Sequence, residues 1–205
     1  MCKLFGYGED GLTLWALMHH ITKILRKVGD TTSPSDCLIF YRPSFGRSGG
    51  KDRAEFGEFD AILVSSENIY LIESKWDNLT SFKNGKLTLR KEQKIRHQIF
   101  SWYLLHWNEK YFNNWKRFIK EQANNFELKD KKIAPTDTLL ATNLEYILTI
   151  ILKHLEKAPS ELNIKNILLF FYNKKLSTPP EVSDDFLLAD IDYSQEIEGN
   201  FIRLA

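Results

Sequence analysis

The segment Gly57–Trp76, GEFDAILVSSENIYLIESKW, constrains the fold of this chain more than any other. Ala61–Val64 is a short apolar run of the length expected for a strand buried on both faces. A second run, Ile69–Ile72, follows after Ser65-Ser66-Glu67-Asn68. Ser and Asn side chains can hydrogen-bond their own backbone in a tight connection, so the two strands are expected to pair as an antiparallel hairpin. Asp60 opens the first strand, and Glu73 and Lys75 close the second. In a period-two strand Glu73 and Lys75 share a face, which brings two carboxylates and one ammonium to the same end of the hairpin. Carboxylates, a backbone carbonyl such as that of Ser74, and water are ligands that Mg²⁺ prefers. Lys75 would hold or activate a water beside it.

At 205 residues, 43% of them hydrophobic, the chain is expected to form one domain over residues 1–205. Its core would span about 6–175, with an acidic segment at 177–205. The two cysteines, Cys2 and Cys37, have neither a disulfide-framework nor a zinc-ligand spacing, so an intracellular, cytoplasmic protein is expected. No apolar run approaches the ~20 residues of a membrane span. Glu9 and Asp10 precede the first apolar stretch, unlike a signal peptide.

The net charge of +1 conceals an asymmetry. Lys83–Lys132 holds thirteen Lys/Arg against five Asp/Glu, whereas the chain from Ser177 onward holds one Arg against seven acids. A basic middle suits a polyanion such as nucleic acid, and equally suits a solvated lysine-rich helical face.

Leu14, Leu17, Met18, Ile21, Ile24, Leu25 and Val28 fall on one helical period that Gly29 ends, predicting an amphipathic first helix with Glu9 and Asp10 at its start. Those acids also suit a helix macrodipole with no further role. Cys37–Tyr41 reads as a strand. Pro43–Gly57 reads as a flexible loop that Arg42, Arg47, Lys51 and Arg53 make basic, suiting a substrate clamp or simply a disordered connection, without the Gly-Lys-Ser/Thr of a phosphate loop. Asn78, Asn84 and Gly85 mark turns before a short strand at Lys86–Leu89. Lys91–Glu121 has a helical pattern rich in aromatics interleaved with Arg96, Lys110, Lys116, Arg117 and Lys120, a composition that suits base stacking and also suits core packing. Gln98 is a polar residue on its apolar stripe. Thr138–Lys157 is a further amphipathic helix, Asn166–Tyr172 (NILLFFY) a central strand and Phe186–Ile191 a late one.

An acid-bearing helix, Asp60 on a strand, Glu73-Ser74-Lys75 on the next strand and a helix opening Gln93-Lys-Ile-Arg-His-Gln98 together resemble the PD-(D/E)xK nuclease superfamily. Gly6-Tyr-Gly-Glu9, Gly57-Glu-Phe-Asp60 and Ile69-Tyr-Leu-Ile-Glu-Ser-Lys-Trp76 look most like its nuclease-related (NERD-like) branch. The resemblance covers roughly Gly6–Tyr111. Phe59 stands where the family's Pro often precedes the first acid. It implies an α/β, restriction-endonuclease-like core with a central mixed sheet flanked by helices, and Mg²⁺- or Mn²⁺-dependent phosphodiester cleavage, with DNA the expected substrate. Asp60 and Glu73 would bind the metal with the Ser74 carbonyl, Lys75 would position the attacking water, Glu9 would be the helix-borne acid and Gln98 an auxiliary. Arg47, Lys51, Arg53, Arg90, Lys94 and Arg96 would contact nucleic acid, and a homodimer would be needed to cut both strands at once. The alternative is a nuclease-like fold that serves as a nucleic-acid-binding or assembly module without turnover.

Overall fold

The structure is a computed structural model that describes residues 3–46, 53–77, 86–126, 128, 131–182, 185–199 and 201–204. In chain order, β1 (Phe5–Tyr7) enters α1 (Gly8–His19) and α2 (Ile21–Lys27). The strands β2 (Leu38–Tyr41), β3 (Ser44–Phe45), β4 (Gly57–Glu58), β5 (Ala61–Val64), β6 (Asn68–Trp76) and β7 (Lys86–Leu87) follow. Next come α3 (Lys91–His106), α4 (Trp115–Gln122) and α5 (Leu139–Leu155). The chain finishes with β8 (Asn163–Tyr172), β9 (Glu181–Val182), β10 (Leu187–Asp192), β11 (Ile197–Glu198) and β12 (Phe201–Arg203).

The fold is mixed α/β, built on a five-stranded sheet of order β10-β8-β6-β5-β2. The expected hairpin is present: β5 pairs antiparallel with β6 from Ala61↔Ile72 to Val64↔Ile69. β5 also pairs antiparallel with β2, whereas β8 runs parallel to both β6 and β10. The apolar NILLFFY run is therefore interior, and the middle position belongs to β6, which pairs with β8 along its whole length and with β5 from Ile69 to Ile72.

Alternation along the hairpin divides the core between the two sheet faces. Ala61, Leu63, Tyr70 and Ile72 pack under α1 and α2 with Leu12, Trp15 and Ile24. Ile62, Val64, Ile69 and Leu71 pack under α3, α4 and α5 with Phe100, Trp107 and Leu148. All eight hairpin residues are fully buried, which is why no polar residue interrupts either run.

Two helical segments are shorter than their periodicity suggests. The first breaks at His20, whose backbone (φ −126°, ψ 18°) leaves the helix while its ring packs edge-on to Trp15 at 4.4 Å. The apolar stripe continues on both sides because α1 and α2 cover the same sheet face. The second ends at His106, and α4 restarts only where the Asn114 side chain accepts from the Arg117 N–H at 3.1 Å. Between them the chain turns through Asn113 at φ +56°. This turn tucks Trp107 and Tyr111 into the core, so core packing, not stacking, is the role most of these rings take. Phe100, Tyr103, Trp107, Tyr111 and Phe118 are all fully buried. Among the described residues no helix is long and apolar enough to cross a membrane.

Candidate active site

Four elements meet at one end of the β5–β6 hairpin. Gly8, at φ +62°, turns β1 into α1 and places Glu9 in the first helical turn. The small sheet β1-β12-β11 fixes this turn, with Gly6↔Ile202 at the centre of the β1–β12 pairing. The buried Thr13 hydroxyl lies 2.7 Å from the Glu9 carbonyl and 2.8 Å from the Ser74 hydroxyl, locking α1 onto β6.

Asp60 sits one residue before β5, where the ladder to β6 has stopped at Ala61↔Ile72. Its side chain substitutes for the next ladder acceptor by taking the Ser74 N–H at 2.7 Å. Arg42 N–H donates to the Asp60 carbonyl at 3.1 Å from the other side. Burial pushes the Asp60 carboxyl up to about 7, and Glu73 adds to the rise, while the Ser74 N–H and Lys75 oppose it. Burial also raises Glu9 despite Lys75 beside it.

Glu73 lies on the sheet face covered by α3 and is almost wholly buried. Its Oε2 accepts from Gln93 Nε2 at 2.6 Å, and its Oε1 accepts from Arg96 Nη1 at 2.7 Å. His97 stands on the same carboxylate, Nε2 3.3 Å from Oε1, with Nδ1 2.7 Å from Asn166 Oδ1. Gly57, at φ +104°, makes room for Arg96: a Cβ there would come 3.2 Å from Nε. Arg96 also donates to the Glu58 carbonyl and lies over the Phe59 ring.

Lys75 completes the cluster. Its Nζ donates to Glu9 Oε1 at 3.5 Å and to the carbonyl of Ser74. Glu9, Asp60, Glu73 and Lys75 line one open cavity of about 290 Å³ with Gly57, Glu58, Gln93 and Arg96. Larger clefts exist elsewhere, but none of those described gathers four carboxylates, as Glu9, Glu58, Asp60 and Glu73 do here, around an ammonium.

The structure thus brings together Asp60, Glu73, Lys75, Glu9 and the Ser74 carbonyl. Gln98 lies elsewhere. It is exposed and lines a separate cleft with Trp102, Leu105 and Phe186. Gln93 and Arg96 line the cavity instead, while the buried His97 borders the same cleft as Gln98 and reaches Glu73 from there. Their i, i+3, i+4 spacing, continued to the buried Phe100, is the sequence signal that identifies this face of α3. Of the residues expected to contact nucleic acid, Arg96 is in the cavity wall, Arg53 and Arg90 are exposed, and Lys94 pairs with Asp185. Arg47 and Lys51 lie outside the described residues, as do Cys2, Asn78, Asn84 and Gly85.

Among the described residues no three His, Cys, Asp and Glu side chains converge tightly enough to form a metal cage. The donor chemistry nevertheless fits a hard cation that retains most of its waters and takes one or two carboxylates, the usual mode of Mg²⁺. Glu9 Oε2 is buried with no hydrogen-bond partner, and Asp60 retains an oxygen that Ser74 does not occupy. Both groups would be eased by positive charge beside them. Comparison of the chain with protein-family models, with curated proteins and with solved structures finds no match.

Proposed function

We propose that this chain is a divalent-metal-dependent nuclease with a restriction-endonuclease-like core, and that DNA is its substrate. The observation that carries the reading is the convergence of Glu9, Asp60 and Glu73 from three separate elements onto one open cavity beside Lys75. The order of acid-bearing helix, acid-bearing strand, Glu-x-Lys strand and Gln/Arg/His helix supports the family resemblance independently of any single residue. Burying several acids together costs stability, and such arrangements concentrate at functional sites.

Asp60 and Glu73 would hold the metal, with Glu9 adjoining. Bound there, Mg²⁺ or Mn²⁺ would supply charge stabilisation at the scissile phosphate. Lys75, anchored by Glu9 and the Ser74 carbonyl, presents an ammonium that can orient the attacking water and lower the cost of removing its proton. Arg96 and Gln93 hold the Glu73 carboxylate in one orientation.

Purified protein should cleave single- or double-stranded DNA with Mg²⁺ or Mn²⁺, and Asp60→Ala, Glu73→Ala and Lys75→Ala should each abolish this. A second reading, a binding module without turnover, is favoured by the Glu73 carboxylate already holding Gln93, Arg96 and His97. It calls for salt-sensitive, metal-independent binding that Lys75→Ala leaves intact.

A further inference from the structure

The small sheet that fixes Glu9 has an unusual outer face. Strand alternation and the register Phe5↔Arg203, Tyr7↔Phe201 put Phe5, Tyr7, Phe201 and Arg203 on one side, with Ile202 turned into the core. The three rings are 39%, 63% and 49% exposed, respectively, whereas the rings of α3 and α4 are mostly internal. Tyr7 and Phe201 form a tilted cross-strand pair with centroids 5.4 Å apart. Glu198 on β11, farthest from β1, is the acid of this face; Lys3 and Arg203 are exposed cations near β1.

Tyr7 is two residues before Glu9, a span of at most about 7 Å between Cα atoms. The aromatic face therefore lies beside the helix turn that carries Glu9, though none of its three rings lines the cavity itself. Taking about 200 Å² for each aromatic side chain, the rings expose on the order of 300 Å², well short of the roughly 800 Å² per partner of a stable protein interface. They match the scale on which two or three bases stack, and sequence-tolerant stacking beside cations is how single strands are held. We propose that this face is a stacking platform for the bases of single-stranded nucleic acid, delivering the strand to the cavity. The delivery rests on the nuclease reading; the stacking does not.

The test measures binding of fluorescein-labelled oligothymidylate and oligouridylate, each about 10 nucleotides long, to the full chain by anisotropy, with EDTA present to stop turnover. The exposed positions Tyr7→Ala and Phe201→Ala should each weaken binding about tenfold, and Tyr7→Trp should retain it. The better-bound oligonucleotide identifies DNA or RNA as the strand. Unchanged affinity in both alanine variants would overturn the proposal. So would loss of self-association in these variants with oligonucleotide affinity intact, which would assign the face to a second copy. Hydrolysis of bis(p-nitrophenyl) phosphate with Mn²⁺, a substrate too small to span both places, reports on the cavity alone. Ester hydrolysis with ring-independent oligonucleotide binding removes the platform and keeps the nuclease. Ring-dependent binding without ester hydrolysis does the reverse.

Discussion

Asp30 and Asp60 meet the β5–β6 hairpin at opposite ends, and their surroundings differ in kind. Asp30 Oδ2 accepts from the Ser65 hydroxyl at 2.6 Å, the Asn68 amide at 2.9 Å and the Tyr70 hydroxyl at 2.8 Å, while Oδ1 accepts from the Thr32 N–H at 2.9 Å. Burial alone would raise its pKa, but the hydrogen bonds from Ser65, Thr32 and Tyr70 outweigh it and hold the carboxyl well below the usual range. Asp60 is buried with a single N–H donor on it, so burial first, and then Glu73 and Glu9, drive its carboxyl up against the pull of Ser74 and Lys75. Donors surround the acid that ties the hairpin turn to the end of α2. Other acids surround the one at the cavity, an arrangement that makes sense for binding positive charge rather than for holding the fold together.

The largest expected effect on stability belongs to the turn end. Asp30→Ala would leave the Ser65, Asn68 and Tyr70 donors buried without an acceptor, costing about 3 kcal/mol or more, read as a lowered urea midpoint. A loss under about 1 kcal/mol would show that the two ends are not so different. Gly57→Ala comes next. Its positive φ and the crowding of Arg96 should cost roughly 2 kcal/mol, and displacement of Arg96 should disturb the cavity without touching Asp30.

The pH dependences should have opposite signs. Folded Asp60 keeps its proton to about 7, against an ordinary value of 3.8, so its contribution is fully present below about 4 and is lost as pH rises to about 7. Asp60→Asn should flatten that loss and leave the variant more stable than the parent at pH 8. Asp30, depressed in the fold, contributes above its ordinary value and loses that contribution as pH falls. Parallel urea midpoints for parent and Asp60→Asn between pH 4 and 8 would contradict this assignment.

Much of this was legible in the sequence. The hairpin announced itself because both strands are buried on both faces, and Asp60, Glu73 and Lys75 follow from its register. Glu9 was legible as a helix-start acid, but its height depended on Gly8 and on β12, some two hundred residues away, pairing with β1. The break at His20 left no Pro or Gly signal. Gln98 was misplaced because the apolar stripe of α3 does not mark the face turned to Glu73; Gln93, Arg96 and His97 do. The aromatic run suited base stacking and core packing alike, and the turn through Asn113 buries most of those rings, whereas the exposed rings of the small sheet come from two short strands with little pattern of their own.

The most direct measurement is cleavage of plasmid DNA with Mn²⁺ by the parent, Asp60→Asn and Asp30→Asn, each corrected for its folded fraction. Asp60→Asn should lose about a thousandfold in rate while remaining folded, and Asp30→Asn should cleave at the parent rate per folded molecule. Equal cleavage by Asp60→Asn and the parent would contradict the account.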